Sequence, residues 1–335
     1  MNQLNTQVRL AARPQGWPGP EHFQIVRTPL PEPGEGEALV EVLYVSVDPY
    51  LRGRMRERKS YIAPIPLGGV MEAGAVARVV RSRSAELREG DIIEGMFGWQ
   101  EYAVTGKKGT RRIDPALAPV STALGVLGMP GLTAYFGMTE ILQARAGQSV
   151  LVSGAAGAVG SVAGQIGKLL GCRVAGIAGG AKKVKWLVEE LGFDAAYDYK
   201  TEADHRGRIA EVCPGGVDGY FDNVGGEISD GALLNLNERG RVAVCGQISQ
   251  YNLEKPEMGP RLTFQLILKR ARMEGFLVFD FREKYAEALE RMAGWVKEGK
   301  LKWAETVVEG VEHAPEAFVG MMRGENVGKM VVKVR

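Results

Sequence analysis

The stretch of sequence that most constrains the fold runs from Ser149 to Lys183, SVLVSGAAGAVGSVAGQIGKLLGCRVAGIAGGAKK. A short apolar run with β-branched residues opens it, a glycine-rich segment at positions 154–160 follows, and apolar residues then recur at the three- and four-residue spacing of a helix. A second apolar run, Arg173–Ala178, arrives within the ~30 residues that a βαβ unit requires. This order of strand, glycine turn, helix and strand predicts half of a doubly wound, nucleotide-binding sheet.

The glycine turn matches Ala155-x-Gly157-x-x-Gly160, a variant of the dinucleotide-binding pattern with alanine in the first glycine position. A helix that begins inside such a turn presents free backbone N–H groups and a partial positive charge, and both favour a bound pyrophosphate. We therefore predict that the turn contacts the cofactor through Ala155, Gly157, Ala158, Val159 and Gly160. The alternative interpretation is a glycine turn with a purely structural role.

The end of the second strand predicts which dinucleotide binds. Proteins that bind NAD place an acidic side chain there, ~20 residues beyond the glycine turn, to accept a hydrogen bond from the ribose. In this chain the strand ends at Ala178, lysines follow at positions 182, 183 and 185, and the first carboxylate is that of Glu189. Ammonium groups in place of a carboxylate favour a 2′-phosphate, so the sequence predicts NADP(H). The alternative is that these lysines form a solvated first turn of a helix.

Composition indicates a globular protein with two hydrophobic cores, because 335 residues exceed the size of one ordinary core. The formal net charge of +2 gives no general preference for nucleic acid or membrane surfaces. No apolar run approaches ~18 residues and the polar start lacks a signal-peptide core, so we expect a cytoplasmic protein without a membrane span. The three cysteines are scattered, as is typical of reduced core residues.

The first part of the chain and the part that follows differ in their patterns of apolar residues, proline and glycine. Residues 1–125 show short alternating segments, such as those at 38–47 and 75–81, between proline and glycine clusters, which predicts a mostly antiparallel β domain. Strand and helix patterns then alternate, which predicts a parallel sheet with helical crossovers. We therefore predict an α/β fold in which a Rossmann domain at 126–303 interrupts a β domain formed by 1–125 and 304–335.

Two element boundaries of the second domain are predicted as follows. The helical pattern that precedes the central strand begins near Thr122 and is interrupted at Pro130 and Gly131. The last strand of the sheet is expected at 273–279, before a long amphipathic helix.

A loop rich in arginine follows the first long alternating segment. Its sequence from Asp48 to Lys59 is DPYLRGRMRERK, with arginines at every second position from 52 to 58. Taken by itself, such a run predicts a solvated charged face more often than a ligand site.

Four separate motifs identify a family resemblance: DPYLRGRM at 48–55, GMPGLTAY at 128–135, YFDNVGG at 220–226 and GENVGK at 324–329. With the domain order, they resemble the medium-chain dehydrogenase/reductase superfamily and, within it, the zinc-independent prostaglandin and alkenal double-bond reductases. The resemblance covers essentially the whole chain. It implies a GroES-like first domain and a homodimeric, NADPH-dependent reductase of α,β-unsaturated ketones and aldehydes.

The resemblance also implies the site residues. The family's 2′-phosphate contacts fall on Lys183 and Tyr199. Its nicotinamide-side contacts fall on Asn223, Cys245, Gly246, Ile248, Ser249, Phe276, Leu277, Val278 and Asn326. The segment from Gly180 to Lys182 departs from the serine-and-acid sequence of relatives, so the form of the phosphate pocket stays open.

The reaction that the sequence predicts uses no metal. The chain has no cysteine before Cys172, only His22 among the histidines of the first 125 residues, and no C-x-x-C pair for zinc. Hydride then requires a carbon that is already electrophilic, such as the β-carbon of an enone, and the charge that appears on the carbonyl oxygen requires a neutral donor. Tyr251, after the strand expected to end at Gly246, is the first candidate donor and Tyr50 is the second.

Two alternatives remain open at this point. A related zinc-independent quinone reductase shares the fold and the cofactor, and a dinucleotide-binding protein without turnover shares the glycine turn. Steady oxidation of NADPH with a small enone would exclude the protein without turnover, and a screen across enals, enones and quinones separates the two reductases.

Overall fold

The computed structural model describes residues 4–335. Its contacts divide the chain into two compact units, one formed by the residues up to Leu124 together with Glu305–Arg335, and the other by Gly125–Ala304. Among the described residues, no helix combines the length and the apolar character that crossing a membrane requires.

The strands and helices follow one another along the chain in three groups. The first group is β1 (Leu4–Leu10), β2 (Phe23–Pro29), β3 (Ala38–Ser46), α1 (Leu51–Arg54), β4 (Ala75–Ser82), β5 (Ile92–Gly95), β6 (Tyr102–Thr105) and β7 (Arg111–Arg112). The second is α2 (Met129–Phe136), β8 (Ser149–Val152), α3 (Gly160–Leu169), β9 (Arg173–Ala178), α4 (Ala181–Glu189), β10 (Ala195–Asp198), α5 (His205–Val212), β11 (Val217–Asp222), α6 (Gly226–Leu234), β12 (Leu236–Val244), α7 (Thr263–Lys269), β13 (Arg272–Gly275) and α8 (Tyr285–Lys297). The third is β14 (Glu305–Glu309), α9 (Ala314–Met322) and β15 (Lys329–Lys333).

The first unit is built from antiparallel strands. Strands β1 and β2 form one small sheet, and a seven-stranded sheet runs β14-β15-β3-β4-β5-β7, with β6 paired to β3. Its neighbours are antiparallel except β14 and β15, which run parallel. Most apolar residues of β3 and β4 are buried, and β15 returns to pair with β3. The chain therefore completes this unit with its last strand.

The second unit is a parallel sheet with helical crossovers. Its six strands lie in the order β10-β9-β8-β11-β12-β13 and every neighbouring pair is parallel. The chain builds outward from β8 through β9 to β10 and then starts again on the other side at β11. The predicted doubly wound fold is confirmed. Ligands of such sheets bind beyond the carboxyl ends of the strands at this switch point, here between β8 and β11.

Three local expectations differ from the structure. A 3₁₀ turn at Val120–Leu124 precedes α2, and Pro130 lies in the first turn of that helix, where its missing N–H is tolerated, so it does not interrupt a helix. Strand β13 ends at Gly275, short of the expected 279. Helix α7 was not predicted, because it has no buried residue and its apolar residues therefore show no core-facing stripe.

Candidate functional site

The glycine turn connects β8 to α3 with a tightly folded backbone. Gly154 has a positive φ of 59°, and the Gly157 N–H donates to the Gly154 carbonyl at 3.0 Å. A Cβ on Gly160 would lie 2.8 Å from the Ala155 Cα and overlap the Gly154 carbonyl oxygen. Side chains are therefore excluded where the chain folds back, and the turn lies at the carboxyl end of the central strand.

The first N–H groups of α3 lie at the end of the glycine turn. Helix geometry leaves the first four N–H groups of any helix without an acceptor inside it. In α3 these groups begin at the Val159–Gly160 end of the turn; the Ser161 N–H donates to the Gly157 carbonyl at 3.0 Å and the Ala163 N–H to the Val159 carbonyl at 2.9 Å. A pyrophosphate supplies the anionic acceptors that such an end favours.

Asn223 lies beside the glycine turn. It follows β11, the strand next to β8, and its side-chain amide donates to the Ser153 carbonyl at 2.8 Å. Its Cβ would lie 3.3 Å from a Cβ placed on Gly154. The structure thus brings Asn223 and the turn together, as expected for the ends of two adjacent parallel strands.

The segment after β12 is tied to the same edge by backbone hydrogen bonds. Cys245 and Gly246 N–H groups donate to the Asp222 carbonyl at 2.9 and 3.1 Å. Ile248 N–H donates to the Asn223 carbonyl at 3.3 Å, and Ser249 N–H to the Val224 carbonyl at 3.1 Å. Burial, reinforced by the Asp222 charge, raises the pKa of the Cys245 thiol to about 12, so the thiol is neutral near pH 7.

Tyr251 closes this segment. Its phenol oxygen accepts the Gln247 N–H at 3.2 Å and would lie 3.1 Å from a Cβ placed on Gly246. The hydroxyl is therefore held at the carboxyl edge of the sheet, next to the residues that follow β12.

Phe276, Leu277 and Val278 follow β13, whose carboxyl end lies at the same edge because the sheet is parallel. The Phe276 ring packs edge-on against Phe221, with ring centroids 6.4 Å apart. The buried Val278 accepts the Tyr285 hydroxyl on its carbonyl at 3.0 Å. The structure brings these residues to the edge that also carries Asn223 and Tyr251.

Positive charge gathers at the end of β9. The Tyr199 ring and the Lys200 side chain lie against Gly179, with Tyr199 Cε1 and Lys200 Cε 2.8 and 2.9 Å from a Cβ placed there. Burial and, second, the neighbouring Lys200 charge lower the pKa of Lys183. Two ammonium groups that repel each other in this way form a site that favours an anion.

Sequence reasoning missed Lys200 and the nearby Asp198. Asp198 accepts the N–H groups of Gly180 and Lys200 at 2.8 and 2.9 Å, so its carboxylate is engaged by the backbone of the turn. The available signal was their position: both stand at the end of β10, and the carboxyl ends of neighbouring parallel strands meet at one edge.

Tyr50 lies in the first unit, immediately before α1, and is half-buried. Its pKa is raised well above the ordinary range, first by burial and then by the Asp48 charge, so the phenol stays protonated. Asp48 is itself held by the buried Lys329, whose ammonium donates to it at 2.9 Å. In the same unit Asn326 is buried and donates to the Gly328 carbonyl at 2.7 Å.

The expectation of a solvated arginine face is wrong for two of its four members. Arg52 is fully buried and donates to the carbonyls of Pro14 and Gly16 at 3.2 and 2.6 Å. Arg54 is buried, donates to the Ala63 carbonyl at 3.0 Å and pairs with Glu72. Burial and the charge of Arg56 lower the pKa of Arg52 to about 10, which leaves it charged at neutral pH. Backbone carbonyls and one carboxylate accept the hydrogen bonds that water would accept on the solvated face that the pattern predicted.

Across positions 4–335, no group of three or more His, Cys, Asp or Glu side chains is arranged to hold a metal ion. The residues of the second unit that were predicted to contact the cofactor thus lie at one edge of the parallel sheet, while Tyr50 and Asn326 belong to the first unit.

Comparison with known proteins agrees with this architecture. A family model described as the N-terminal domain of oxidoreductase matches residues 6–113, and one described as zinc-binding dehydrogenase matches residues 158–294. The chain is 49% identical to the putative NADP-dependent oxidoreductase YfmJ of Bacillus subtilis, covering 100% of this chain and 99% of that one. It is 41% identical to the NADPH-dependent curcumin reductase of Escherichia coli, covering 99% and 97%.

A solved structure gives the same result. The structure of CurA from Vibrio vulnificus in complex with NADPH superposes with a TM-score of 0.94 at 43% identity, covering 98% of this chain and 99% of that one. Identity of this extent along the whole chain, in both units, establishes common descent and a common fold. The chain belongs to the medium-chain dehydrogenase/reductase superfamily, in the family of the prostaglandin reductases and NADP-dependent alkenal reductases.

Proposed function

We propose that this chain reduces the conjugated carbon–carbon double bond of α,β-unsaturated ketones and aldehydes with NADPH. The relatives support the reaction class, since one is named for NADPH-dependent reduction of curcumin and another, from Nicotiana tabacum, is a 2-alkenal reductase dependent on NADP. The observation that carries the proposal is the Tyr251 hydroxyl at the sheet edge, beside the segment that follows β12.

The residues present fit a dinucleotide phosphate. The glycine turn leaves backbone without side chains at the start of α3, where a Cβ on Gly160 would clash. Lys183, Tyr199 and Lys200 lie near Gly179, in the second turn that follows β9, which is separate from the glycine turn. Their side chains suit a 2′-phosphate. In this proposal the glycine turn holds the pyrophosphate, the lysine pair holds the 2′-phosphate, and the Asn223 and Cys245–Tyr251 segments line the nicotinamide side.

The chemistry that the bound cofactor supplies is a hydride for the β-carbon of the substrate. The chain's part is to stabilise the negative charge that then develops on the carbonyl oxygen. A neutral hydroxyl suits this task, because its hydrogen bond strengthens as the charge grows. We assign that donor to Tyr251, and Tyr50, whose phenol is kept protonated, is the second candidate. A proton from water completes the α-carbon in this scheme.

The test of the donor is Tyr251→Phe, which keeps the ring and removes the hydroxyl. We expect kcat and kcat/KM for 2-hexenal to fall together by roughly ten- to a thousandfold, as for other oxyanion donors, with NADPH affinity little changed. Tyr197→Phe, at a buried tyrosine on β10, is the matched control and should leave kcat unchanged. An unchanged kcat with a raised substrate KM would make Tyr251 a pocket wall, and the same assay on Tyr50→Phe would then test the second candidate.

The reaction class is tested by NADPH oxidation with 2-hexenal, 3-buten-2-one and 1,4-benzoquinone. Faster turnover of the enal and enone supports the proposal, and a preference for the quinone favours the quinone reductase. Absence of turnover with all three favours the non-catalytic alternative. Because the site holds no metal-ligating cluster among the residues described, exhaustive chelation should leave the rate unchanged.

We further propose that the chain forms a homodimer through the β13 edge of the parallel sheet. Strand β13 is a terminal strand of that sheet, and α7, next to it in sequence, exposes Phe264 by 61% and Ile267 by 70%. An exposed strand edge beside apolar side chains favours pairing with a second copy about a two-fold axis.

The dimer is tested by light scattering on the purified protein. Ile267→Glu should shift the mass from dimer to monomer, because it places a charge in the apolar face. Val188→Glu on α4, an isolated exposed apolar residue of the same unit, is the matched control. A monomeric wild-type protein, or a dimer that survives Ile267→Glu, would contradict this interface.

A further inference from the structure

A single buried carboxylate collects hydrogen bonds from three segments at the switch point of the parallel sheet. Asp222, the last residue of β11, is 2% exposed. One of its oxygens accepts the Tyr220 hydroxyl at 2.9 Å, the Ser153 hydroxyl at 3.2 Å, and the N–H groups of Val224 and Gly225 at 3.0 Å each. The other accepts the Ser229 hydroxyl of α6 at 2.6 Å.

All of these partners are neutral donors. A buried carboxylate normally requires a paired cation or a full set of hydrogen bonds, since desolvation otherwise strongly disfavours its charge. Here hydrogen bonds alone satisfy it, and such bonds to a charged acceptor are stronger than neutral ones. These hydrogen bonds therefore draw together the residue after β8, the loop after β11 and the first turn of α6.

The loop that Asp222 hydrogen-bonds contains two consecutive glycines with positive φ. Gly225 and Gly226 have φ values of 76° and 62°, so two consecutive residues occupy the left-handed region. The Asp222 carboxylate accepts the N–H groups of Val224 and Gly225 at the start of this bend. Asn223, the residue before them, donates its side-chain amide to the Ser153 carbonyl. Glycine has the largest conformational entropy to lose on ordering, so the bend needs such an anchor.

We propose that Asp222 is a positioning residue: it holds the loop 223–226, and with it Asn223, beside the glycine turn in the arrangement that receives the nicotinamide end of NADPH. The inference rests on the proposed function for the identity of the ligand. Asp222 acts through Asn223 and Ser153 and does not itself contact the cofactor.

The test measures NADPH and NADH dissociation constants by cofactor fluorescence for Asp222→Asn. We expect both constants to rise by about tenfold, the equivalent of one charged hydrogen bond. The effect should be the same for the two cofactors, because the 2′-phosphate lies elsewhere. Asp218→Asn is the matched control: it lies on the same strand, also accepts hydrogen bonds, and stands at the opposite end of β11.

A double-mutant cycle separates positioning from general loosening. Combined with Asn223→Ala, Asp222→Asn should add less than about twofold, because both act on the same loop, whereas with Lys183→Ala the two losses should multiply. Amide exchange across 223–226 in the cofactor-free protein should quicken in Asp222→Asn and stay unchanged in Asp218→Asn. If Asp222→Asn does not fold, Tyr220→Phe and Ser229→Ala each remove one donor and should raise both constants by a smaller factor.

Several results would overturn the inference. Wild-type affinity in Asp222→Asn, full multiplication with Asn223→Ala, or an effect confined to NADPH would each remove Asp222 from this role. These readouts measure cofactor binding and amide exchange, so they do not depend on turnover. Failure of the enone assays would overturn the proposed function, whereas the binding constants alone decide the inference about Asp222.

Discussion

The glycine turn at 154–160 and the arginine loop at 48–58 are both short, glycine-containing segments that follow a strand, yet only the first followed its sequence pattern. The turn's requirements are local, because Gly157 and Gly160 both lie close to the Gly154 carbonyl, three and six residues away in the chain. Arg52 and Arg54 instead donate to carbonyls at positions 14, 16 and 63. The geometry of a few neighbouring residues can be predicted from the sequence, whereas hydrogen bonds from a buried charge to distant backbone carbonyls cannot.

The largest effect that tests this comparison is expected from Arg52→Met. Removing the guanidinium leaves the carbonyls of Pro14 and Gly16 without their charged donor, so the free energy of unfolding should fall by about 3 kcal/mol. Urea denaturation measures it, with the exposed Arg58→Met as the matched control, expected within about 0.5 kcal/mol of wild type. Equal stability of the two variants would return the loop to the solvated face that its pattern predicts.

Gly160→Ala tests the local half of the comparison. The added methyl group overlaps the Gly154 carbonyl and lies 2.8 Å from the Ala155 Cα, so the turn must open. We expect the NADPH KM to rise by about a hundredfold, since backbone contacts to the pyrophosphate depend on that turn. Gly294→Ala in α8, where no atom lies within 4 Å of the new Cβ, should leave KM unchanged. A tolerated Gly160→Ala would reduce the turn to a structural role.

Lys183→Ala tests the proposed 2′-phosphate site, where Lys183 was predicted from the sequence and Lys200 was found by its position in the structure. We expect the NADPH KM to rise by about tenfold and the NADH KM to stay within about twofold, because only the phosphate contact is lost. Lys185→Ala, at a lysine that pairs with Glu189 on the same helix, is the control and should have little effect on either. An equal effect of Lys183→Ala on both cofactors would remove this lysine from the phosphate site.

The smallest effect concerns pH. Burial and the Lys200 charge lower the Lys183 pKa, and the ammonium form is the one that attracts a phosphate. As pH rises, Lys183 therefore loses its charge below the range near about 10.4 where an ordinary lysine titrates, and the NADPH KM should rise a fewfold while the NADH KM stays flat. Lys200→Met should move that rise to higher pH. A profile that is unchanged by Lys200→Met would mean that the two lysines do not interact.

The sequence determined the α/β class, the antiparallel character of the first unit and the glycine turn. These features depend on period and spacing within ~30 residues, where helix and strand place apolar side chains on one face. The boundaries of helices and strands were hardest to predict where tertiary contacts override the local sequence pattern. Pro130 begins α2 instead of interrupting a helix, and α7 exposes the apolar residues that would have indicated it.

Only the tertiary structure decided which polar groups work together at the candidate site. Lys200 joins Lys183, and Asp222 gathers donors from three segments, because parallel strands bring the ends of distant sequence segments to one edge. Arg52 is buried for a similar reason, since its acceptors arrive from residues 36 and 38 positions away. The sequence contains these residues, but their burial and their hydrogen bonds depend on neighbouring residues that come close only when the chain folds.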